Sequence, residues 1–178
     1  KKLLDEFRIL IAKSINKYIY ALGNESIENV LVNKFLNQKL TISTAESCTG
    51  GLIGHRLTNV PGSSEIYHGG LITYSNQSKI NDLDISAKSI EDFGAVSQEV
   101  ALEMAKNIRA KLKTNVGISI TGIAGPGGGT DLKPVGLVYV GYCDENILEV
   151  KKFNFTSNRE SNKIRTSQAV FNFILSMI

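Results

Sequence analysis

The sequence predicts an α/β protein, a three-layer α/β/α sandwich around a mixed β-sheet, on three observations. Helix-like and strand-like segments alternate early in the chain, which is the order typical of a parallel sheet covered on both faces. Two strand-like segments joined by the turn 144–146 come later and add a hairpin to that sheet. The 178 residues, of which 42% are hydrophobic, suit one domain with a sizeable core.

Apolar residues at steps of three and four positions predict the helices. The first covers residues 3–19 and is followed by a break at Gly23, and Ser26 caps the second, over 27–36. The remaining helices are predicted at residues 47–58, in short pieces up to 93, at 97–112, and from the capping box of Ser157 with Glu160 onward.

Runs of β-branched and aromatic residues between turn residues predict the strands, at 40–44, 66–74, 116–121, 135–142 and 147–155. Gly69 and Gly70 interrupt the second strand, which indicates a bulge or a close backbone approach. The glycine-rich residues 122–134 form a long loop after the third strand.

Composition excludes several classes of function. The net charge of +3 is small and spread along the chain, so we expect no nucleic-acid partner. No apolar run is long enough to cross a bilayer, and we expect no membrane association. Two cysteines without metal or redox spacing indicate reduced thiols and a cytoplasmic location, and two histidines are too few for a metal cluster.

The segment 41–51 carries the strongest functional signal. It runs Thr-Ile-Ser-Thr-Ala-Glu-Ser-Cys-Thr-Gly-Gly, a β-branched run that leads to Ser47 and two glycines. We expect Ser47 at the tip of a strand above a helix start, where backbone N–H groups can hold an oxyanion or a phosphate. A helix N-cap is the alternative role for Ser47. The small polar residues around it favour a nucleophile for acyl transfer.

A serine nucleophile needs a base, and neither histidine fits. His55 lies eight residues further along the predicted helix, about 12 Å from Ser47, and His68 is expected to be structural. Tyr74, at the end of the second strand, and Lys79, near a helix start that lowers its pKa, remain as candidates. In the alternative interpretation Tyr74 covers the core and Lys79 is solvated.

Two further positions point to a ligand. Thr121 and Gly122 lie at the carboxyl end of the third strand, where α/β proteins bind ligands, although residues 121–129 match no phosphate-loop motif. A flexible connector is the alternative for this loop. Arg159 is a cation in the first turn of the last helix, which is unfavourable unless it faces an anion.

Six ordered motifs together resemble the CinA C-terminal domain family over about residues 38–176. In this sequence they are 44–51 (Thr-Ala-Glu-Ser-Cys-Thr-Gly-Gly), 61–64 (Pro-Gly-Ser-Ser), 73–76 (Thr-Tyr-Ser-Asn) with Lys79, 94–97 (Gly-Ala-Val-Ser), 119–126 (Ser-Ile-Thr-Gly-Ile-Ala-Gly-Pro) and 133–136 (Lys-Pro-Val-Gly). The resemblance implies hydrolysis of nicotinamide mononucleotide to nicotinate mononucleotide and ammonia. It further implies Ser47, Tyr74 and Lys79 as the catalytic set, and Ser157-Asn158 stands where the family usually has Gly-Asp.

We therefore expect a metal-independent, cofactor-free amidase that forms a homodimer. The expected substrate-binding residues, apart from the catalytic set, are Glu46, Cys48, Thr49, Gly50, Thr121, Gly122, Ala124, Gly125 and Arg159. The alternative is a non-catalytic nucleotide-sensing or interaction domain in a competence or DNA-damage response.

The beginning of the chain resembles the junction that precedes this domain in full-length members, at residues 18–20 and 25–28. We expect residues 1–37 to be a helical segment that links to an upstream domain, and residues 38–178 to be the amidohydrolase domain. The resemblance implies that the upstream domain is similar to molybdopterin-binding domains.

Overall fold

The computed structural model describes residues 2–15, 19–21 and 23–178. Within these ranges the helices and strands follow in the order α1 (Lys2–Ile15), α2 (Ile27–Gln38), β1 (Ile42–Glu46), α3 (Leu52–Thr58), β2 (Tyr67–Ile72), α4 (Asn76–Leu83), α5 (Ala87–Phe93), α6 (Gln98–Leu112), β3 (Val116–Gly122), β4 (Leu137–Cys143), β5 (Leu148–Asn154) and α7 (Arg159–Met177). A short 3-10 helix, Ser63–Glu65, precedes β2.

The five strands form one sheet in the order β2-β1-β3-β4-β5. Strands β2, β1 and β3 are parallel, and β4 and β5 are antiparallel to their neighbours, so the predicted mixed sheet is confirmed. The carboxyl ends of the parallel strands meet at one edge, where Glu46 pairs with Ile72 on one side and Ile120 on the other. Ligand sites of α/β sheets lie beyond such an edge.

Helices cover both faces of the sheet. A large core between the sheet and α2, α3 and α7 contains Phe35, Ile118 and Phe171. A smaller core on the opposite face contains Leu83 from α4 and Met104 from α6, and α5 packs on α6 there. The predicted three-layer sandwich is therefore confirmed.

Small residues on β3 and β4 allow α6 to lie very close to the sheet. Ser119 donates a hydrogen bond to the Ala101 carbonyl, and a Cβ atom on Gly141 would meet that carbonyl oxygen at 2.5 Å. The close approach brings the segment before α6 to the carboxyl-end edge of the sheet. There the Thr121 hydroxyl donates a 2.7 Å hydrogen bond to the Ala95 carbonyl.

Several predicted boundaries are wrong. Helix α3 begins at Leu52 rather than at residue 47, because Gly50 and Gly51 adopt left-handed φ angles of 64° and 94° and form turns. Strand β1 accordingly continues to Glu46 instead of ending at residue 44. The predicted capping box is also wrong, because Asn158 caps α7 and accepts a hydrogen bond from the Ser161 N–H.

The irregularity predicted in the second strand is confirmed. The pairing register shifts between Ile42 and Ser43, whose partners are Tyr67 and Gly69, so His68 is the extra residue. Gly70 lies against β1, since a Cβ atom there would come within 2.8 Å of the Thr44 carbonyl oxygen. The second strand therefore tolerates no side chain at that position.

The first helix is described over Lys2–Ile15, and residues 16–18 of the predicted helix lie outside the described ranges. Helix α2 packs Leu31, Val32 and Phe35 into the large core. This part of the segment 1–37 is thus joined to the sheet, and the domain boundary after residue 37 stays a prediction. None of the helices within the described ranges combines the length and apolar character needed to cross a lipid bilayer.

Candidate active site

Ser47 lies at the carboxyl-end edge of the sheet, directly after β1. Its backbone N–H donates a 2.9 Å hydrogen bond to the Ile120 carbonyl, which holds it to β3. Its carbonyl accepts a 3.0 Å hydrogen bond from the Gly50 N–H, which closes the turn that follows. Only 8% of the Ser47 surface is exposed. The position at a strand tip is as predicted, but the turn separates Ser47 from the helix.

Glu46 occupies the helix start at which we expected an anionic ligand. Its buried carboxylate accepts hydrogen bonds of 2.9, 3.2 and 2.9 Å from the N–H groups of Gly51, Ile53 and Gly54. It therefore satisfies the free amides at the start of α3, where the N-terminal residue itself supplies no side-chain hydrogen bond. The alternative in which Ser47 is the N-cap is wrong, and the expected oxyanion position above α3 is filled by Glu46.

Lys79 forms a direct contact with Ser47. Its Nζ lies 3.0 Å from the Ser47 Oγ and donates a 2.7 Å hydrogen bond to the Thr73 carbonyl. Helix α4, which Ser75 caps, carries the lysine into the interior, where 1% of its surface is exposed. The alternative of a solvated Lys79 is therefore wrong.

Burial lowers the pKa of Lys79, because the ammonium loses most of its hydration there. No carboxylate forms an ion pair with this ammonium anywhere in the described part of the chain. A lysine whose pKa is lowered in this way gives up its proton more readily than an ordinary lysine. One N–H then donates to the Thr73 carbonyl, and the lone pair is free to accept the proton of the Ser47 hydroxyl.

Tyr74 takes no part in the contact between Ser47 and Lys79. The tyrosine is 59% exposed, and its hydroxyl accepts a 2.7 Å hydrogen bond from Nη2 of Arg159. Nη1 of Arg159 donates a second 2.7 Å hydrogen bond to the Gly125 carbonyl. Arg159 thus links the end of the second strand to the glycine-rich loop, across the mouth of the site.

An open cavity of about 300 Å³ lies between these groups, a size near the lower end for ligand pockets. Of the predicted site residues, it is lined by Ser47, Cys48, Tyr74, Lys79, Thr121, Gly122, Ala124, Gly125 and Arg159. Glu46, Thr49 and Gly50 do not line it. The cavity also has lining residues that the sequence analysis did not assign to the site: Asn76, Ala95, Val96, Ile123, Gly127 and Gly128.

A signal for some of these missed residues exists in the sequence. Ala95 and Val96 belong to one of the six motifs, and they precede the N-cap of a strong amphipathic helix. The hydrogen bond from Thr121 to the Ala95 carbonyl places them at the cavity. Only the packing of α6 on the sheet determines that position.

Two further groups at the cavity bear on its chemistry. Burial raises the pKa of the Cys48 thiol to about 12, so the thiol stays protonated and is a poor nucleophile at neutral pH. The N–H groups of Ala124 and Gly125 donate no hydrogen bond to the part of the chain that the structure describes. These two amides are available to a ligand oxygen.

In a comparison with models of protein families, residues 24–178 match the model of the family described as "CinA C-terminal domain". The chain belongs to the CinA C-terminal domain family. It is 47% identical over 174 residues to a protein of Clostridium perfringens strain SM101 named putative competence-damage inducible protein, covering 98% of this chain and 42% of that protein. It is 44% identical over 162 residues to a CinA-like protein of Amoebophilus asiaticus, covering 91% of this chain and 39% of that protein. The chain thus spans about two fifths of the length of these relatives.

Solved structures of the family support the fold. The competence/damage inducible protein CihA from Agrobacterium tumefaciens has a TM-score of 0.82 at 34% identity, covering 88% of this chain and 98% of that one. A CinA superfamily protein from Escherichia coli has a TM-score of 0.84 at 28% identity, covering 93% of this chain and 99% of that one. The names of both proteins refer to competence and damage.

In this CinA domain the pair Ser157-Asn158 forms hydrogen bonds that stabilise the start of α7. Asn158 caps the helix through the Ser161 N–H at 2.9 Å. The Ser157 N–H donates to the side-chain oxygen of Asn162, whose Nδ2 donates to the carbonyls of Ser157 and Ala124. This network ties the first turn of α7, and hence Arg159, to the glycine-rich loop.

Proposed function

We propose that this CinA domain is an amidohydrolase that hydrolyses the carboxamide of nicotinamide mononucleotide to nicotinate mononucleotide and ammonia. The observation that carries the proposal is the 3.0 Å contact between the Ser47 hydroxyl and the buried Lys79 amine. A serine beside a lysine with a lowered pKa is an arrangement for nucleophilic acyl transfer. The nucleotide substrate rests on the family resemblance.

In the first step, neutral Lys79 takes the Ser47 proton as Oγ attacks the carboxamide carbon. The carbonyl oxygen becomes an oxyanion, and its candidate donors are the N–H groups of Cys48 and Thr49 or the unpartnered ones of Ala124 and Gly125. Each such donor typically lowers the activation barrier by about 3–4 kcal/mol. The direct contact supports Lys79, rather than Tyr74, as the group that accepts this proton.

In the second step, protonated Lys79 gives its proton to the amide nitrogen as the carbon–nitrogen bond breaks, and ammonia leaves. Nicotinate mononucleotide is then bound to Ser47 as an ester. Lys79, neutral again, accepts a proton from a water molecule that attacks the ester carbonyl. Collapse of that intermediate returns the proton from Lys79 to Ser47 Oγ and releases the carboxylic acid, which loses its proton to the solvent and leaves as the carboxylate.

The test measures ammonia release from nicotinamide mononucleotide by the wild type, Ser47→Ala and Lys79→Met. We expect Ser47→Ala to lower kcat by about 10⁴-fold or more and Lys79→Met by about 10²- to 10⁴-fold. Ser64→Ala and Lys152→Met are matched controls, since both side chains are exposed and neither lines the cavity. A Ser47→Ala variant that keeps near-wild-type activity would disprove the nucleophile.

A second candidate is a non-catalytic nucleotide-sensing or interaction domain in a competence or DNA-damage response, and the names of the relatives refer to competence and damage. Calorimetry separates the two candidates. Tight binding of nicotinamide mononucleotide by the wild type without ammonia release would support sensing. Turnover that depends on Ser47 and Lys79 would support the amidase.

A further inference from the structure

A second cavity adjoins the one at Ser47, and its charges suggest a role. It measures about 480 Å³ and is lined by Leu52 from α3 and by Arg159, Glu160, Lys163 and Ile164 from α7. Arg159 lines both cavities, so the two are neighbours across that side chain. A ligand held at Ser47 that extends past the Arg159 side chain would enter the second cavity.

Lys163 brings a cation without a protein partner to this cavity. Its side chain is half-buried, and its ammonium makes no hydrogen bond or ion pair with the described residues. The ammonium lies 3.8 Å from the point that a Cβ atom on Gly50 would occupy. Gly50 is in the turn closed by its hydrogen bond to Ser47, so Lys163 faces the loop that carries the proposed nucleophile.

Arg159, in contrast, already has two partners. One terminal nitrogen donates to the Gly125 carbonyl and the other to the Tyr74 hydroxyl, both at 2.7 Å. These contacts use two of its five N–H donors and fix the position of the guanidinium. Lys163 donates to none of the described residues and keeps all of its donors available at this cavity.

The charge arrangement is unfavourable without an anionic ligand. Arg159 and Lys163 are four residues apart on α7, so two like charges lie on the same face. Arg159, the first residue of α7, is also at the positive end of the helix dipole. Glu160 lines the same cavity and offsets one of these charges, which leaves a net charge of +1. An anion bound between them would relieve the repulsion.

We propose that the second cavity receives the phosphate monoester of the nucleotide, and that Lys163 provides specificity for that phosphate. The inference rests on the proposed function for the identity of the nucleotide. The hydrogen bond from Gly50 to Ser47 and the contact of Lys163 with Gly50 set an upper limit of about 14 Å on the distance from the Ser47 hydroxyl to the Lys163 ammonium. One aromatic ring and one ribose separate the carboxamide from the phosphate in nicotinamide mononucleotide, which is a comparable span.

The experiment measures binding in the absence of turnover. Calorimetry on Ser47→Ala is compared with the same protein carrying Lys163→Met, Lys163→Arg or the control Lys152→Met. For nicotinamide mononucleotide we expect Lys163→Met to raise Kd by about 10- to 100-fold, the range for one charge-assisted hydrogen bond. Lys163→Arg should restore most of the affinity, and Lys152→Met should leave Kd within about threefold.

Nicotinamide riboside, which lacks only the phosphate, is the second probe. Its affinity should differ by less than about threefold between Ser47→Ala and the Lys163→Met double variant. Equal losses for both probes, or equal Kd values for nicotinamide mononucleotide in Lys163→Met and Lys152→Met, would overturn the phosphate role. Thermal unfolding of each variant checks that the fold is retained.

The outcomes also separate this inference from the proposed function. Lys163-dependent binding without ammonia release by the wild type would refute the amidase and leave the phosphate site standing. Ammonia release by the wild type with binding that is insensitive to Lys163 would refute only the phosphate site. Failure of nicotinamide mononucleotide to bind Ser47→Ala, together with no ammonia release by the wild type, would overturn both.

Discussion

Replacing Glu46 with alanine should destabilise the protein strongly, although the sequence suggested a role in substrate binding. The side chain is 2% exposed, and its carboxylate accepts hydrogen bonds from the N–H groups of Gly51, Ile53 and Gly54. The N–H groups of Ile53 and Gly54 are buried, and that of Gly51 is partly buried. Alanine offers no acceptor and leaves room for at most a few water molecules.

The magnitude follows from these three donors. A buried donor without an acceptor costs about 1–3 kcal/mol, and the partly buried donor costs less, so we expect a loss of about 3–6 kcal/mol. A domain of this size has a free energy of unfolding of about 5–15 kcal/mol, so the loss is a large fraction of the total. Glu46→Gln keeps one carbonyl oxygen as an acceptor and should lose only about 1–3 kcal/mol.

Urea unfolding followed by circular dichroism measures both variants. Glu149→Ala is the matched control, because this glutamate is exposed on β5 and should change stability by less than about 0.5 kcal/mol. If Glu46→Ala unfolds within about 1 kcal/mol of the wild type, the carboxylate does not hold the start of α3. The cap interpretation would then be abandoned in favour of a role in binding.

Three further predictions follow from the contacts of single residues. The free energy of unfolding of the wild type should rise with pH relative to that of Lys79→Met, because the unfolded chain binds more protons than the folded one between the lowered pKa of Lys79 and its ordinary value. The rise should be at most about 1.4 kcal/mol per pH unit, and urea unfolding at several pH values measures it. Tyr74→Phe should lower kcat for ammonia release by less than about tenfold, because the hydroxyl binds Arg159; a loss of about 10³-fold would make Tyr74 the base. Gly141→Ala should lower the free energy of unfolding in urea by about 1–3 kcal/mol or more, because its Cβ would meet the α6 backbone at 2.5 Å. A Cβ atom at Gly127 would meet nothing within 4 Å, so Gly127→Ala is the control, and equal stabilities of the two variants would contradict the close packing.

The periodic parts of the fold could be predicted because their signal lies within each segment. In α6 the buried residues recur at helical spacing, as Val100, Met104 and Ile108 do, so the pattern can be recognised within the segment itself. The hairpin of β4 and β5 was visible from two apolar runs and a short turn. The start of α3 was not predictable in this way, since it depends on a carboxylate that reaches forward from the preceding strand.

The candidate site, too, could be predicted from the sequence only in part. Ser47 and Lys79 are 32 residues apart, yet each follows a strand whose carboxyl end lies at the same edge of the sheet, so a parallel pairing brings them together. The contact of Arg159 with Tyr74 spans 85 residues and depends on how α7 approaches the glycine-rich loop. No short-range pattern in the sequence encodes that approach.

Glu46 and Ser47 show how one dipeptide can serve stability and chemistry at once. Successive side chains at the end of a strand point to opposite faces of the sheet. Glu46 therefore reaches α3 on one face, and Ser47 reaches Lys79 of α4 on the other. The capped start of α3 fixes the turn after Ser47, and the hydrogen bond to Ile120 fixes the residue itself. The rigidity that positions the hydroxyl beside the amine thus arises from contacts that never enter the cavity, which is why substitution of Glu46 should affect stability first and activity only through it.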